Sequence, residues 1–254
     1  MAIAEAGPRN VTAAAWGRVA LLAGWISAGG LLLQTALFFV DASGLLPFSQ
    51  AYRETGAGRG VDLGAYYVAW FERQHRIVWD IAVRDIVGPT AAIALMVLAL
   101  ALVRLRGQAR PGMQVWALVF AVGALLKLLS DVVYLSELGV WLDSHFTAEF
   151  PADIVAVGRT AEAVDALSSY LEAVAYLILA VALAGLAGAL SRRLAMLART
   201  LAGVLGVVII GWLGGWWPVY AVAALLGGIV LAPWLLLATG RWLARSPAGD
   251  PATG

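Results

Sequence analysis

Apolar residues along this chain gather into six runs, at 16–40, 86–103, 113–133, 167–190, 194–213 and 218–239. Each holds about 20 residues, which at ~1.5 Å per residue is what an α-helix needs to cross ~30 Å of hydrocarbon. The pattern predicts an all-α polytopic integral membrane protein, one membrane domain over 1–254 built as a bundle of six transmembrane helices. Arg9 precedes the first run as it would in a signal peptide. That run is too long for a signal h-region and no small-residue cleavage site follows it, which predicts a retained helix. A content of 62% hydrophobic and 13% charged residues lies outside the range of soluble domains and agrees.

Polar residues fall unevenly between the runs. Arg9, Arg18, Arg104, Arg106, Arg110, Arg192, Arg193, Arg199, Arg241 and Arg245 all sit at ends that six alternating crossings place on one side, accompanied only by Glu5 and Asp250 among the 16 acids. The positive-inside rule then predicts cytoplasmic tails at 1–15 and 240–254 and a multi-pass protein of the bacterial inner membrane. The opposite face receives a loop and helix extension at 41–85 and a loop at 137–166. In the first of these, "GLLPFSQAYRETGAGRGVDLG" reads as a glycine-rich loop, and "AYYVAWFERQHRIVWDIAVRDIVGP" as helix feeding the second crossing, with a kink expected at Pro89. "GAGRG" lacks the Lys-Ser/Thr of a phosphate loop.

Three runs carry a polar seam at helical spacing. Glu72, Arg76, Asp80 and Arg84 recur every four residues; Lys127, Ser130, Asp131, Tyr134 and Glu137 fall three or four apart; so do Glu162, Asp165, Ser169, Glu172 and Tyr176. Residues 200–240 contain no charge, which marks the last two crossings as scaffold, with Gly203, Gly206, Gly211 and Gly214 expected at close helix contacts. Counting ~1.5 Å per residue from the arginine anchors puts Gln34, Asp85, Lys127 and Glu172, from four helices, at one level to within about one turn. Arg84, Asp131, Tyr134, Glu137 and Asp165 lie at or beyond that level.

An ionisable group inside hydrocarbon costs about 2.5–3.5 kcal/mol on insertion scales and normally faces a cavity or a partner. Lys127, the sole lysine, with Asp131, Glu172 and Asp85, is therefore the candidate acid/base or pocket group; Gln34, Arg84, Tyr134, Glu137, Asp165, Ser169 and Tyr176 are candidate binding residues. Glu72, Arg76, Asp143, Glu149 and Asp153 read instead as ion pairs at a wet rim. Trp70, Trp79 and Trp141 are candidates to stack on a ligand, whereas Trp212, Trp216, Trp217 and Tyr220 read as the aromatic belt of the interface.

Cysteine is absent, and His75 and His145 are the sole histidines, far apart in sequence, so neither a cofactor nor a metal is expected. No serine-hydrolase elbow, zinc-protease motif or aspartate-rich diphosphate motif is present. The chain has no feature of a nucleic-acid binder. Three functions remain: binding of a small apolar or amphipathic molecule or a membrane lipid in an outward-facing charged pocket; an acid/base enzyme of isomerase or cyclase type; and a transporter or a non-catalytic subunit of a homo- or hetero-oligomer. The inner halves of the second and fourth runs, "AAIALMVLALAL" and "LILAVALAGLAGAL", carry no polar seam. A pocket closed at that end fits binding or catalysis better than a through-pore.

Overall fold

The computed structural model describes residues 8–42, 63–107 and 111–245, and these are helical almost throughout. The helices are α1 (Pro8–Ala42), α2 (Leu63–Arg76), α3 (Val78–Arg106), α4 (Pro111–Thr147), α5 (Ile154–Leu186), α6 (Arg192–Leu213), α7 (Trp217–Leu225) and α8 (Ala232–Arg245), with a π-helical turn at Leu226–Leu231 joining the last two. Six helical stretches are long and apolar enough to cross a membrane: α1, α3, α4, α5, α6 and the continuous α7–π–α8 rod. Most of the glycine-rich loop lies outside the described residues.

The spans form a ring in which sequence neighbours are spatial neighbours. Helix α1 packs on α3, α3 on α4, α4 on α5, α5 on α6, α6 on α7, and α8 returns to α1. Glycine closes that last seam: a Cβ on Gly24 would stand 2.8 Å from the Leu236 carbonyl, and one on Gly240 would stand 2.8 Å from the Ala20 carbonyl. Without side chains there the two backbones touch, the close approach that small residues permit between membrane helices. Gly17 meets Ala244 at 3.2 Å by the same measure, so the start of α1 and the end of α8 share one end of the ring. Arg106 lies over the Trp242 ring at 4.7 Å and Arg241 over the Trp25 ring at 5.6 Å, at that same arginine-rich end. Leu22, Ile86, Ile93, Leu118, Val222 and Trp234 point outward and exposed, as a lipid-facing surface requires.

One of the expected helix features differs. The segment before the second crossing is not one helix, because Ile77, at φ −109° and ψ 12°, separates α2 from α3. The break divides the Glu72–Arg84 stripe, leaving Asp80 and Arg84 paired on α3 at 3.3 Å. Pro89 stands inside α3, as expected, and the helix runs on through it. Proline has no N–H, so the ladder bond to the Asp85 carbonyl is missing. One residue on, the Thr90 hydroxyl donates to the Ile86 carbonyl at 2.7 Å. In the last rod the π turn precedes Pro233, and the Ala232 N–H reaches back five residues to the Gly227 carbonyl. The wider turn absorbs a ring that would collide with an α-helical carbonyl.

Beyond the spans α2 folds back on the ends of α4 and α5. Tyr67, Trp70, Phe71, Ile77, Val78, Ile81, Trp141 and Ala161 form a second core there, distinct from the aliphatic core nearer the arginine-rich end. Phe71 and Trp141 meet edge to face at 4.7 Å. Truncating so large a buried aromatic costs about 3–5 kcal/mol, so this cap is a folded unit of the protein. Trp70 and Trp141 belong to it and have no face left for a ligand, and Trp79 is 60% exposed on the outside, which corrects the expectation of ligand stacking.

Candidate functional site

Inside the ring, toward the acidic end, lies a partly open cavity of about 300 Å³ lined by residues from every span. Its polar wall comes from α1 (Gln34, Thr35), α3 (Arg84, Asp85), α4 (Lys127, Ser130, Asp131, Tyr134), α5 (Asp165, Ser168, Ser169, Glu172, Tyr176) and Tyr220 after α6. Its apolar wall comes from Leu95, Phe120, Leu179, Leu183, Leu201, Leu205, Val208, Leu235 and Leu236. All but one of the candidate residues meet here, because the three-four spacing of each seam turns it toward the ring centre. Glu137 is the exception: it is buried, but stands outside the cavity lining.

Lys127 is the hub. Its ammonium donates to Asp131 Oδ1 one turn along α4 and stands 3.2 Å from Glu172 Oε1 on α5. Lys127 is 2% exposed and Asp131 8%, so this is a buried charged group rather than a surface pair. The Glu172 side chain keeps 35% of its surface accessible because it faces the cavity space, and it accepts a 2.6 Å hydrogen bond from the Tyr176 hydroxyl. Gln34 Nε2 donates to the same Asp131 Oδ1 at 3.3 Å and carries the network to α1. Just above, Ser130 donates to the Ser168 carbonyl at 2.9 Å and Ser168 donates to the Ser130 carbonyl at 3.1 Å, a reciprocal clamp between α4 and α5.

Gly88 is what lets α3 join. A Cβ there would fall 2.9 Å from both Asp131 Cγ and Gln34 Nε2, so any side chain would collide with the network. Asp85 lies one turn earlier on the same helix, 4% exposed, with its Oδ2 lacking a hydrogen-bond partner among the described residues. Asp131 Oδ2 is in the same position. A buried carboxylate oxygen left without a donor costs free energy unless something outside the protein supplies one.

The last two spans are not mere scaffold. Leu201, Leu205 and Val208 of α6, and Tyr220, Ala224, Gly227 and Gly228 of the final rod, line the cavity, so Tyr220 faces the ring interior rather than standing in the aromatic belt. The available signal was a face of small residues, Ala224 and Gly227 falling below Tyr220 at helical spacing, rather than any charge. Of the four glycines expected at tight contacts, Gly211 meets the Tyr220 backbone at 2.9 Å, whereas Gly203 and Gly206 face open space and Gly214 caps α6.

The cap carries the remaining polar residues. Glu162 leaves the α5 seam to accept a 2.7 Å hydrogen bond from the Tyr67 hydroxyl. Burial, reinforced by that carboxylate, pushes the Tyr67 hydroxyl above its ordinary range. His75 bonds the Ser144 hydroxyl at 2.7 Å, and its ring lies 6.1 Å from that of His145. The two distant histidines thus meet, though no group of three metal-ligating side chains occurs among the described residues. Burial first, and His145 second, lower the His75 pKa below its ordinary value.

No family model, curated protein or solved structure matches this chain.

Proposed function

We propose that this protein holds an amphipathic small molecule, or the head and first part of a lipid, in the central cavity. The polar head sits at the level of Lys127 and Glu172, and the apolar part lies against Phe120, Leu179 and Leu235. The observation that carries this reading is the division of one cavity, lined from every span, into a charged wall and an aliphatic one. Neither bulk water nor hydrocarbon satisfies both walls, whereas an amphiphile does. Ligand sites generally combine such apolar lining with a few placed polar groups, at volumes of about 300–1,000 Å³. The arginine distribution supports an inner-membrane orientation with the acidic end outward. Small or aliphatic residues at the opposite end of the cavity support a pocket closed on the arginine side.

The test is native mass spectrometry of protein extracted directly into nanodiscs from its own membrane. The wild type is expected to carry an additional bound mass below that of a complete lipid pair. Ala224→Trp, which fills the cavity from the last rod, is expected to lose it while keeping its helical content. The same spectrum for both proteins, without bound mass, contradicts the reading.

A second reading, acid/base catalysis on such a molecule, draws support from Asp85 and Asp131, which line one cavity with Lys127 and each keep a carboxylate oxygen that no donor among the described residues reaches. Groups in unlike environments can divide the acid and base roles. In that case Asp85→Asn retains the bound mass but changes its chemical identity from product to substrate.

A further inference from the structure

The charge of the ligand's head can be read from the cavity wall. Among the described residues two cations line it, and both form ion pairs: Arg84 with Asp80 at 3.3 Å, although its Nε lacks a hydrogen-bond partner, and Lys127 with Asp131 and, at 3.2 Å, with Glu172. The anions outnumber them, for Asp85 and Asp165 line the same cavity with no ion pair of their own among the described residues. An anionic head would meet four carboxylates against two ion-paired cations, and a cationic head complements that lining better than an anionic or a neutral one.

The second observation concerns hydrogen bonds. Asp85 is 4% exposed and Asp131 8%, both line the cavity, and each has an Oδ2 that no described donor reaches. Asp131 Oδ1 already receives both Lys127 and Gln34, so its other oxygen is the vacant acceptor. Two buried acceptors on residues that line one cavity, each almost without accessible surface of its own, call for a head that donates hydrogen bonds as well as carrying positive charge.

On the reading that this cavity holds an amphiphile, we propose that it selects a cationic one whose head is a protonated amine, bound between Asp85 and Asp131. The two carboxylates turn toward the cavity so that the N–H groups donate to their vacant oxygens, and the hydrocarbon part extends over Phe120 toward Leu235. Asp165, exposed at the mouth, attracts the cation on entry. The same ammonium chemistry is available from a free alkylamine or from an aminoethyl lipid headgroup.

The experiment measures binding of decylammonium, decyltrimethylammonium, decanol, decyl sulfate and a short-chain phosphatidylethanolamine to the full-length protein in phosphatidylcholine nanodiscs, with empty nanodiscs subtracted. Decylammonium is expected to bind about tenfold more tightly than decanol, and decyl sulfate more weakly than either. Decyltrimethylammonium falls between, having charge but no N–H. Binding of decylammonium alone identifies a free amine as the source, and equal or tighter binding of the ethanolamine lipid identifies the headgroup. Asp85→Asn is expected to remove the tenfold preference of decylammonium over decanol. Asp165→Asn, at an exposed position that tolerates substitution, weakens the ammonium two- to threefold and serves if the first variant does not fold. Decanol or decyl sulfate binding as tightly as decylammonium overturns the cation assignment but leaves the cavity reading standing. If none of the probes binds, the cavity reading itself fails.

Discussion

Lys127 Nζ and Glu172 Oε1 stand 3.2 Å apart across the contact between α4 and α5, in a chain with no other lysine. Asp131, on the lysine's own helix, completes the group from the other side. One cation therefore compensates two carboxylates inside a membrane bundle, and its removal is expected to be the most damaging single change at the site. Lys127→Met should cost about 3–5 kcal/mol, the range for stranding buried charges. Glu172→Gln should cost less, because Lys127 keeps Asp131. The triple variant Lys127→Met, Asp131→Asn, Glu172→Gln should recover most of the loss, since a neutral set needs no compensation. Unfolding in mixed micelles measures the order; an indifferent Lys127→Met would show that the group is not load-sharing as described.

Gly88 should tolerate nothing larger. Its Cβ would lie 2.9 Å from Asp131 Cγ, and Gly88→Ala is expected to destabilise by about 1–3 kcal/mol and to break the Gln34–Asp131 bond. Gly139, on α4 with open space around it, is the control. There alanine should stabilise by up to ~1 kcal/mol through helix propensity alone. Equal effects at the two sites would contradict the packing described.

The serine clamp should appear as a coupling rather than as two independent losses. Ser130 and Ser168 exchange hydroxyl-to-carbonyl bonds at 2.9 and 3.1 Å, and their hydroxyl oxygens stand 3.1 Å apart, the side-chain contact that a mutant cycle reads. A double-mutant cycle to alanine should return about 0.6 kcal/mol, the usual size of an interhelical polar contact in a membrane bundle. A coupling of zero would mean the two hydroxyls act separately.

The cap should weaken in acid. The His75 pKa is lowered in the folded state by burial and by His145, with Glu72 opposing. A lowered histidine value means the unfolded chain takes up the proton first. The stability it contributes is present above the ordinary value of 6.5 and is lost as pH falls through the folded value. The melting temperature should therefore drop as pH falls below about 6.5 and level off once pH is under the folded value. His75→Gln should flatten that slope, and His145→Gln should reduce it. An unchanged slope in His75→Gln would place the titrating group elsewhere.

The spans and the charged side of the cavity were legible from the sequence because both depend on helical period. A lysine, an aspartate and a glutamate at three-four spacing in apolar helices have one energetically acceptable direction, inward, and that brought Lys127, Asp131 and Glu172 together. Other features lack a local signal. The break at Ile77 has no proline or glycine to announce it and follows from α2 folding onto Trp141 and Ala161. The share of α6 and the final rod in the cavity rests on leucines, alanine and glycine, which read as ordinary packing until the ring is closed. Trp141, found in the cap core, and Tyr220, found at the cavity, both depart from their expected roles for the same reason, since an aromatic near the end of a span suits a core, a cavity or an interface equally well.

The most direct measurement of the central claim is a density map of the protein purified from its native membrane without added ligand. An elongated non-protein feature is expected within the ring, its head between Asp85 and Asp131 and its body running past Phe120 toward Leu235. A cavity packed shut by its own side chains, or a chain of water-sized peaks continuing to the arginine-rich end, would contradict the account.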